Sequence, residues 1–472
     1  MSPDYIVTIG LEVHVHLDTK TKLFCSCPNI TGGEPNTRIC PVCTGQPGAL
    51  PVFNERVLFQ AVLAALAINC RINHRSIFAR KQYFYPDMPT NYQITQHELP
   101  IAEKGHLGGT GINRLHIEED AGKLIHTGGS SLVDLNRASA PLIEIVTEPE
   151  ITSPQEAGDF LRNLRQILRY AGVSDCDMEK GSMRCDANIS LRKNQDDPLG
   201  VKSELKNLNS FRSVEMALDY EILRQSEILS SGGEVIQETR LWDEDSLRTK
   251  GMRTKEESDD YRFFSDPDLP PLLVGEDFVE EVATYLPEMP DARKNRFVTE
   301  FGLSEYDAGV LTQEKDTADY FEEALKVCGL KQSKMLASWL SVEVAGQLNA
   351  LGVSMSDNPV KPAHLGSLVR EISQGNVSGT MAKDIFAEMF ETGFSPENII
   401  EKKGLKQINS EDEINAFCEK VLKDNPDLVE KYLDGKHGVL GAMVGQVMKE
   451  SRGQANPKKV NETLRRLIEK FQ

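Results

Sequence analysis

Gly10-Leu11-Glu12-Val13-His14-Val15-His16 is the stretch whose reading decides the fold. Apolar and polar residues alternate. Leu11, Val13 and Val15 fall on one side and Glu12, His14 and His16 on the other, the period-two pattern of a half-buried strand. One side can join a core. The other presents a carboxylate and two imidazoles, which are groups that ligate cations. The plain alternative is a strand with a solvated polar face.

Directly downstream stand Cys25, Cys27, Cys40 and Cys43. Two close pairs put two thiolates on each of two turns, and two such turns close a tetrahedron around Zn(II). Four sulfur ligands leave no open position, so this site is expected to be structural. A second acidic run is His116-Ile117-Glu118-Glu119-Asp120-Ala121-Gly122-Lys123. Adjacent carboxylates are costly unless a cation or solvent offsets them. Glu12, His14 and one of Glu118 and Glu119 make an oxygen-rich donor set with one imidazole, which suits Mg(II) or Mn(II). Arg80-Lys81-Gln82-Tyr83-Phe84-Tyr85-Pro86-Asp87 interleaves cations with aromatics. Such a strip can grip a phosphate or stack a base, and equally can be an amphipathic surface strand. Asp186, Glu204, Lys206, Asn207, Asn209 and Ser210 add polar groups whose common location is open. The chain has no Walker-type loop, no G-x-G-x-x-G after a strand and no G-x-S-x-G elbow.

The bulk properties narrow the class. A chain of 472 residues is too long for one core and holds two to four domains. No run of 18 apolar residues occurs, so no membrane span is expected. The N-terminus lacks the pattern of a secretion signal. Nine cysteines in close pairs fit a reducing cytoplasm. A net charge of -19 argues against holding nucleic acid by bulk charge, but leaves room for a local basic patch.

Residues 1 to about 150 are strand-rich. Ser153-Pro154-x-Glu156 opens a helix, with Ser153 as N-cap and an apolar face of Leu161, Leu164, Ile167 and Leu168. Gly172 is its stop. A strand is expected over 184–191 and a helix over 213–229. DLPPLLVGEDF and LPEMPDAR mark the end of the first domain, and everything after about 293 has helical periodicity. Ser410 with Glu413 caps another helix. Asn456-Pro457 opens a last one, with Val460, Leu464, Leu467 and Phe471 as its apolar stripe. Near that end the cations Lys449, Arg452, Lys458, Lys459, Arg465, Arg466 and Lys470 outnumber the anions.

The blocks IGLEVHVHLDTKTKLFC, RKQYFYPDMPTNYQITQ, RLHIEEDAGK, LVDLNRASAPLIEIVTEP, MEKGSMRCDANISLR, ELKNLNSFRSVE and EESDDYRFF resemble the GatB/GatE family, the B-type subunits of the bacterial aspartyl/glutamyl-tRNA amidotransferases. VGQVMKESRGQANPKKVNETL resembles the YqeY-like tail of that family. The resemblance runs collinearly over nearly the whole chain. It implies an α+β protein with a β-rich catalytic cradle over 1–292, a helical domain over 293–408 and a small helical tail over 409–472 that binds tRNA. It implies a cytoplasmic enzyme that activates the side-chain carboxylate of Glu or Asp on misacylated tRNA with ATP and Mg2+, then amidates it. Ammonia would come from a separate amidase subunit acting as a glutaminase, with a small third subunit between the two. By the same resemblance the metal ligands fall on Glu12, His14 and Glu119, with Glu118 beside them. Lys81 and Tyr83 fall by the ATP and acceptor pocket, and Asp186 and Glu204 on further acidic positions of it. The family often has Lys where this chain has Thr90. Two rival readings are an RNA-binding scaffold without chemistry and a free-standing ligase that takes ammonia directly. A scaffold has no use for the carboxylate-histidine set. Copurification of an amidase subunit separates the second rival from a heterotrimer.

Overall fold

The computed structural model describes residues 5–254, 261–404, 410–451 and 454–469. It divides into two compact units, Met1–Met289 and Pro290–Gln472. Part of the EESDDYRFF block, and Arg452, Lys470 and Phe471, lie outside the described residues.

The first unit is built on a nine-stranded sheet, and the alternating N-terminal stretch is its middle strand, Ile6–His16. To one side follow Met183–Arg192, Ser203–Leu208, Glu238–Asp243 and Arg248–Thr254. To the other follow Pro141–Thr147, Thr110–Glu119, Ala102–Leu107 and Arg71–Ile72. Neighbours run antiparallel except Ser203–Leu208 and Glu238–Asp243. A parallel pair needs a crossover, and the helix Phe211–Ser230 lies between those two strands in the chain.

The alternation sorts the sheet into two faces. Ile9, Leu11, Val13 and Val15 are fully buried, with Leu115, Ile117, Ile143, Ile145, Ala187 and Ile189 from neighbouring strands. They share one core with the apolar sides of the helices Glu55–Ala67, Pro154–Tyr170 and Phe211–Ser230. Each Leu, Ile or Val among them contributes roughly 1.5–3 kcal/mol by leaving water. All three helices are claimed by that face, so the even-numbered residues of the middle strand belong to the other.

The helix starts follow local chemistry. Ser153 accepts from the Glu156 backbone N–H, and Glu156 Oε2 accepts from the Thr152 N–H, which closes the expected cap. The next long helix begins at Phe211, earlier than 213, because Ser210 supplies the cap by accepting from the Ser213 N–H. The expected strand over 184–191 is Met183–Arg192. A separate three-stranded ribbon, in the order Phe264–Ser265, Ala79–Gln82, Tyr92–Thr95, carries the cation-aromatic strip.

In the second unit the described residues are helical, around two apolar clusters. One draws on Phe297 through Ile400 and the other on Ile414 through Ile468. Ser410 caps Glu411–Asp424 and Asn456 caps Pro457–Ile468. Val460, Leu464, Leu467 and Ile468 turn inward on the last helix. Among the described residues no helix is long and apolar enough to cross a membrane.

Candidate active site

Strand register places the chemistry. His14 is opposite Glu144 on one neighbour and Arg184 on the other, and Glu144 is in turn opposite His116. Leu142 is opposite Glu118, which returns two residues after His116 on the same face. His14 Nε2 thus stands 3.4 Å from Glu118 Oε1 and 3.2 Å from Glu144 Oε2. The carboxylates are nearly fully buried, while His14 keeps some exposure to the cavity. Burial works against ionising Glu118 and Glu144, yet His116 and His14 hold both below the usual carboxylate range. Burial likewise opposes charge on His14, and the carboxylates of Glu144 and Glu118 outweigh it, raising His14 to about 9.

Glu12, His14 and His16 do share one face, but each has a different partner. Glu12 accepts from Asn188 Nδ2 at 2.8 Å. His16 Nε2 is 2.8 Å from Asp120 Oδ2, which also accepts from Arg184 at 2.8 Å. Glu119 faces elsewhere, as alternation requires. Its Oε1 accepts from the Ile94 N–H at 2.9 Å, and its backbone carbonyl accepts from Gln93 Nε2. Burial pushes its carboxyl up to about 7. The donor set that the described structure gathers is therefore His14, Glu118 and Glu144, with ligand atoms within 4.8 Å of one another. Neither Glu12 nor Glu119 joins it.

Two adjoining cavities, of about 390 and 380 Å³, open over this cluster, and both include His14, Glu118, Lys81, Asp186, Lys206 and Tyr261 in their walls. Tyr83 lines the first and Glu204 the second. Lys81 comes from the ribbon, with its Nζ 4.7 Å from the centroid of the Tyr261 ring. Lys206 bonds to Asp186 and lies 3.4 Å from Glu204 Oε1. Partial burial opposes charge on Lys206, but these two carboxylates keep its ammonium charged and raise its pKa. Thr239 Oγ1 donates to Glu204 Oε2 at 2.8 Å. Thr90 bonds back to the Tyr92 carbonyl of its own turn. The cations of the walls are Lys81, Lys206, Arg184 and Arg114.

The donor chemistry fits Mg2+. That ion favours carboxylates, keeps several waters and shares phosphate oxygens with a substrate. Two buried carboxylates and one imidazole open to a cavity offer such a partial shell. The sulfur cluster fits a different ion. Cys25, Cys27, Cys40 and Cys43 lie with their Sγ atoms within 4.8 Å of one another. Cys40 and Cys43 are 3.9 Å apart, against an S···S edge of about 3.8 Å for a zinc tetrahedron with bonds of about 2.3 Å. Lys22, 1% exposed, points its ammonium at Cys43 Sγ, 3.6 Å away. The Cys43 thiol is pulled down to about 5, chiefly by a hydrogen bond from Cys25 and further by Lys22.

Sequence reasoning missed Glu144, inside the run LIEIV. The available signal was one carboxylate among buried apolar strand residues. It missed Arg184 and Asn188 as well, and nothing local marks them.

A family model described as the GatB/GatE catalytic domain matches residues 7–280, and one described as the GatB domain matches residues 319–468. A protein of Persephonella marina, named as the B-type subunit of an aspartyl/glutamyl-tRNA(Asn/Gln) amidotransferase, is 51% identical over 98% of each chain. Proteins of the same name from Carboxydothermus hydrogenoformans and Brevibacillus brevis are 49% and 48% identical. They cover 99% and 98% of this chain and 100% and 99% of their own.

Proposed function

The chain belongs to the GatB/GatE family, matching its B-type subunits from end to end, and on that premise we propose that the polar face of the large sheet is where the amino acid carried by tRNA is activated and amidated. The enzyme is a ligase-type amidotransferase that acts on misacylated tRNA, and the chain is one subunit of a larger complex. In finer terms, the substrates are Glu-tRNA(Gln) or Asp-tRNA(Asn), in the cytoplasm. The partners are an amidase subunit that supplies ammonia as a glutaminase, and a small third subunit.

A side-chain carboxylate does not react with ammonia at neutral pH. Bound Mg-ATP supplies the phosphoryl group that turns it into an acyl phosphate, with the metal neutralising phosphate charge. His14, Glu118 and Glu144 would hold that metal, with Glu12 two residues before His14 on the same face of the strand. Lys81 and Lys206 would meet the phosphates from two walls of the cavity, and Tyr83 would bound the acceptor pocket. Asp186 and Glu204 hold the Lys206 ammonium in place. They leave it bonding capacity for a phosphate oxygen, since an ammonium has three donors. Cys25, Cys27, Cys40 and Cys43 would hold a structural zinc that shapes the knuckle. The helical tail would bind tRNA through Lys458, Lys459, Arg465 and Arg466.

The observation that carries this reading is the convergence of His14, Glu118 and Glu144 with Lys81 and Lys206 in the wall of the second cavity, all but Glu144 also lining the first. The test is single-turnover amidation by the intact complex carrying Glu144→Gln. The rate is expected to fall by more than about 100-fold, beyond the 10–100-fold usual for a residue behind a ligand, with tRNA affinity retained. A normal rate at ordinary Mg2+ would remove the cluster from the chemistry.

A further inference from the structure

The two buried carboxylates have a second imidazole. His116 Nε2 is 3.4 Å from Glu144 Oε2 and 3.6 Å from Glu118 Oε2. It approaches the same carboxyl groups as His14, but its nitrogens do not join the set whose atoms are all within 4.8 Å. His116 meets Glu118 at the oxygen turned away from His14, and it shares Glu144 Oε2 with His14 in the wall of the second cavity. Its side chain is 4% exposed, against 22% for His14. Its other nitrogen, Nδ1, is buried with no hydrogen-bond partner. The two carboxylates stand at Nε2, so that nitrogen is the one that faces them with a proton. Thr95 Oγ1 donates to the same oxygen of Glu118, Oε2, at 3.2 Å. Glu118 is thus held by Oε2 and presents Oε1 towards His14.

We propose that His116 is a positioning residue for a divalent cation. Its Nε2–H holds Glu118 by the oxygen turned away from His14 and bears on the Glu144 oxygen that both imidazoles share, so that the free lone pairs and the His14 nitrogen converge on one point before a metal arrives. This rests on the reading of His14, Glu118 and Glu144 as the cation site. Without His116 the two carboxylates lose the donor that sets their rotation, and affinity falls although every ligand is present. Residues behind metal ligands are typically worth about 10–100-fold in affinity.

The experiment is a Mn2+ titration of the intact complex by electron paramagnetic resonance. The site is defined as the Mn2+ that the wild type binds and His14→Ala does not. His116→Phe keeps the volume and removes the donor. His116→Gln places an amide N–H near the position of Nε2. His116→Met replaces the Phe variant should that one lose its melting transition. The expected result is a Kd raised about 10–100-fold in the apolar variants, with most of the loss recovered in His116→Gln. The Mg2+ requirement for amidation should rise in step, and kcat should recover at saturating Mg2+. An unchanged Kd in a folded apolar variant, or no recovery with Gln, overturns the inference while the cation site stands. A wild type with no Mn2+ dependent on His14 overturns the underlying reading and the inference with it.

Discussion

Glu118 and Glu119 are adjacent in the chain and serve different ends, because successive strand residues point to opposite faces. Glu118 reaches the His14 cluster, and Glu119 reaches the ribbon that carries Lys81. Residues 93, 94 and 95 bond in turn to Glu119 O, Glu119 Oε1 and Glu118 Oε2, so the pair docks the ribbon onto the sheet. Glu119→Ala leaves the buried Ile94 N–H without its acceptor, which should cost about 1–3 kcal/mol of stability. Mn2+ affinity should stay near normal. Melting curves paired with Mn2+ titration check both, and a loss of Mn2+ binding at full stability would make Glu119 a ligand after all. The sequence showed the period-two rule plainly, and that rule allows only one of the two carboxylates on the face of His116. Which face meets His14 depended on pairing with residues 141–147, more than 120 positions away in the chain. For the same reason Glu144 was invisible as a partner of His14. Its own neighbours, Ile143 and Ile145, say only that it lies in a strand.

Elements with local causes were the legible ones. The cap at Ser153, the strand around Ala187 and the caps at Ser410 and Asn456 are all present. Each cap rests on contacts within a few residues, and the strand was marked by its own alternation. Ser153→Ala should cost about 1 kcal/mol, measurable as a lower unfolding midpoint with an unchanged denaturant slope. The cysteine knuckle is an element of a different kind, set by sulfur positions rather than backbone bonding. Its spacing was readable because metal geometry is as local as a cap. The buried Lys22 ammonium beside Cys43 was not, since nothing marks one lysine in DTKTKLFC over the other. A thiol-competent chelator should lower the melting temperature of the protein and release close to one zinc. Turnover assayed well below that temperature should fall less than stability does. Loss of turnover with an unmoved melting temperature would give the knuckle a chemical role.

At the scale of the whole molecule, a chain with a net charge of -19 must meet a polyanion through local patches. Lys458, Arg465 and Arg466 are exposed on the last helix, and Arg466 donates to Asn415 Oδ1 at 2.9 Å. Deleting 450–472 would also remove Val460, Leu464 and Leu467 from an apolar cluster, so truncation confuses binding with folding. Lys458→Gln with Arg465→Gln is the cleaner change. It should weaken tRNA binding and make its logarithmic salt slope shallower by roughly 0.7–0.9 per lost phosphate contact. An unchanged slope would make this a solvated helix face. The division into a β-rich unit and a helical one was readable from periodicity alone, because period 2 gives way to period 3.6 near residue 293. The convergence of strands from the sheet and the ribbon on the two cavities was not, since it is a product of long-range pairing. The central claim is that His14, Glu118 and Glu144 serve the phosphorylation of the tRNA-borne carboxylate. It is tested most directly by charging tRNA with Glu or Asp labelled with heavy oxygen in the side-chain carboxylate, and following the label through amidation by the intact complex. The account predicts that each amide formed delivers one labelled oxygen to inorganic phosphate. It also predicts that Glu144→Gln loses labelled phosphate and amide together while still binding the tRNA. Amide accompanied by unlabelled phosphate, or labelled phosphate produced by the variant at the wild-type rate, would contradict it.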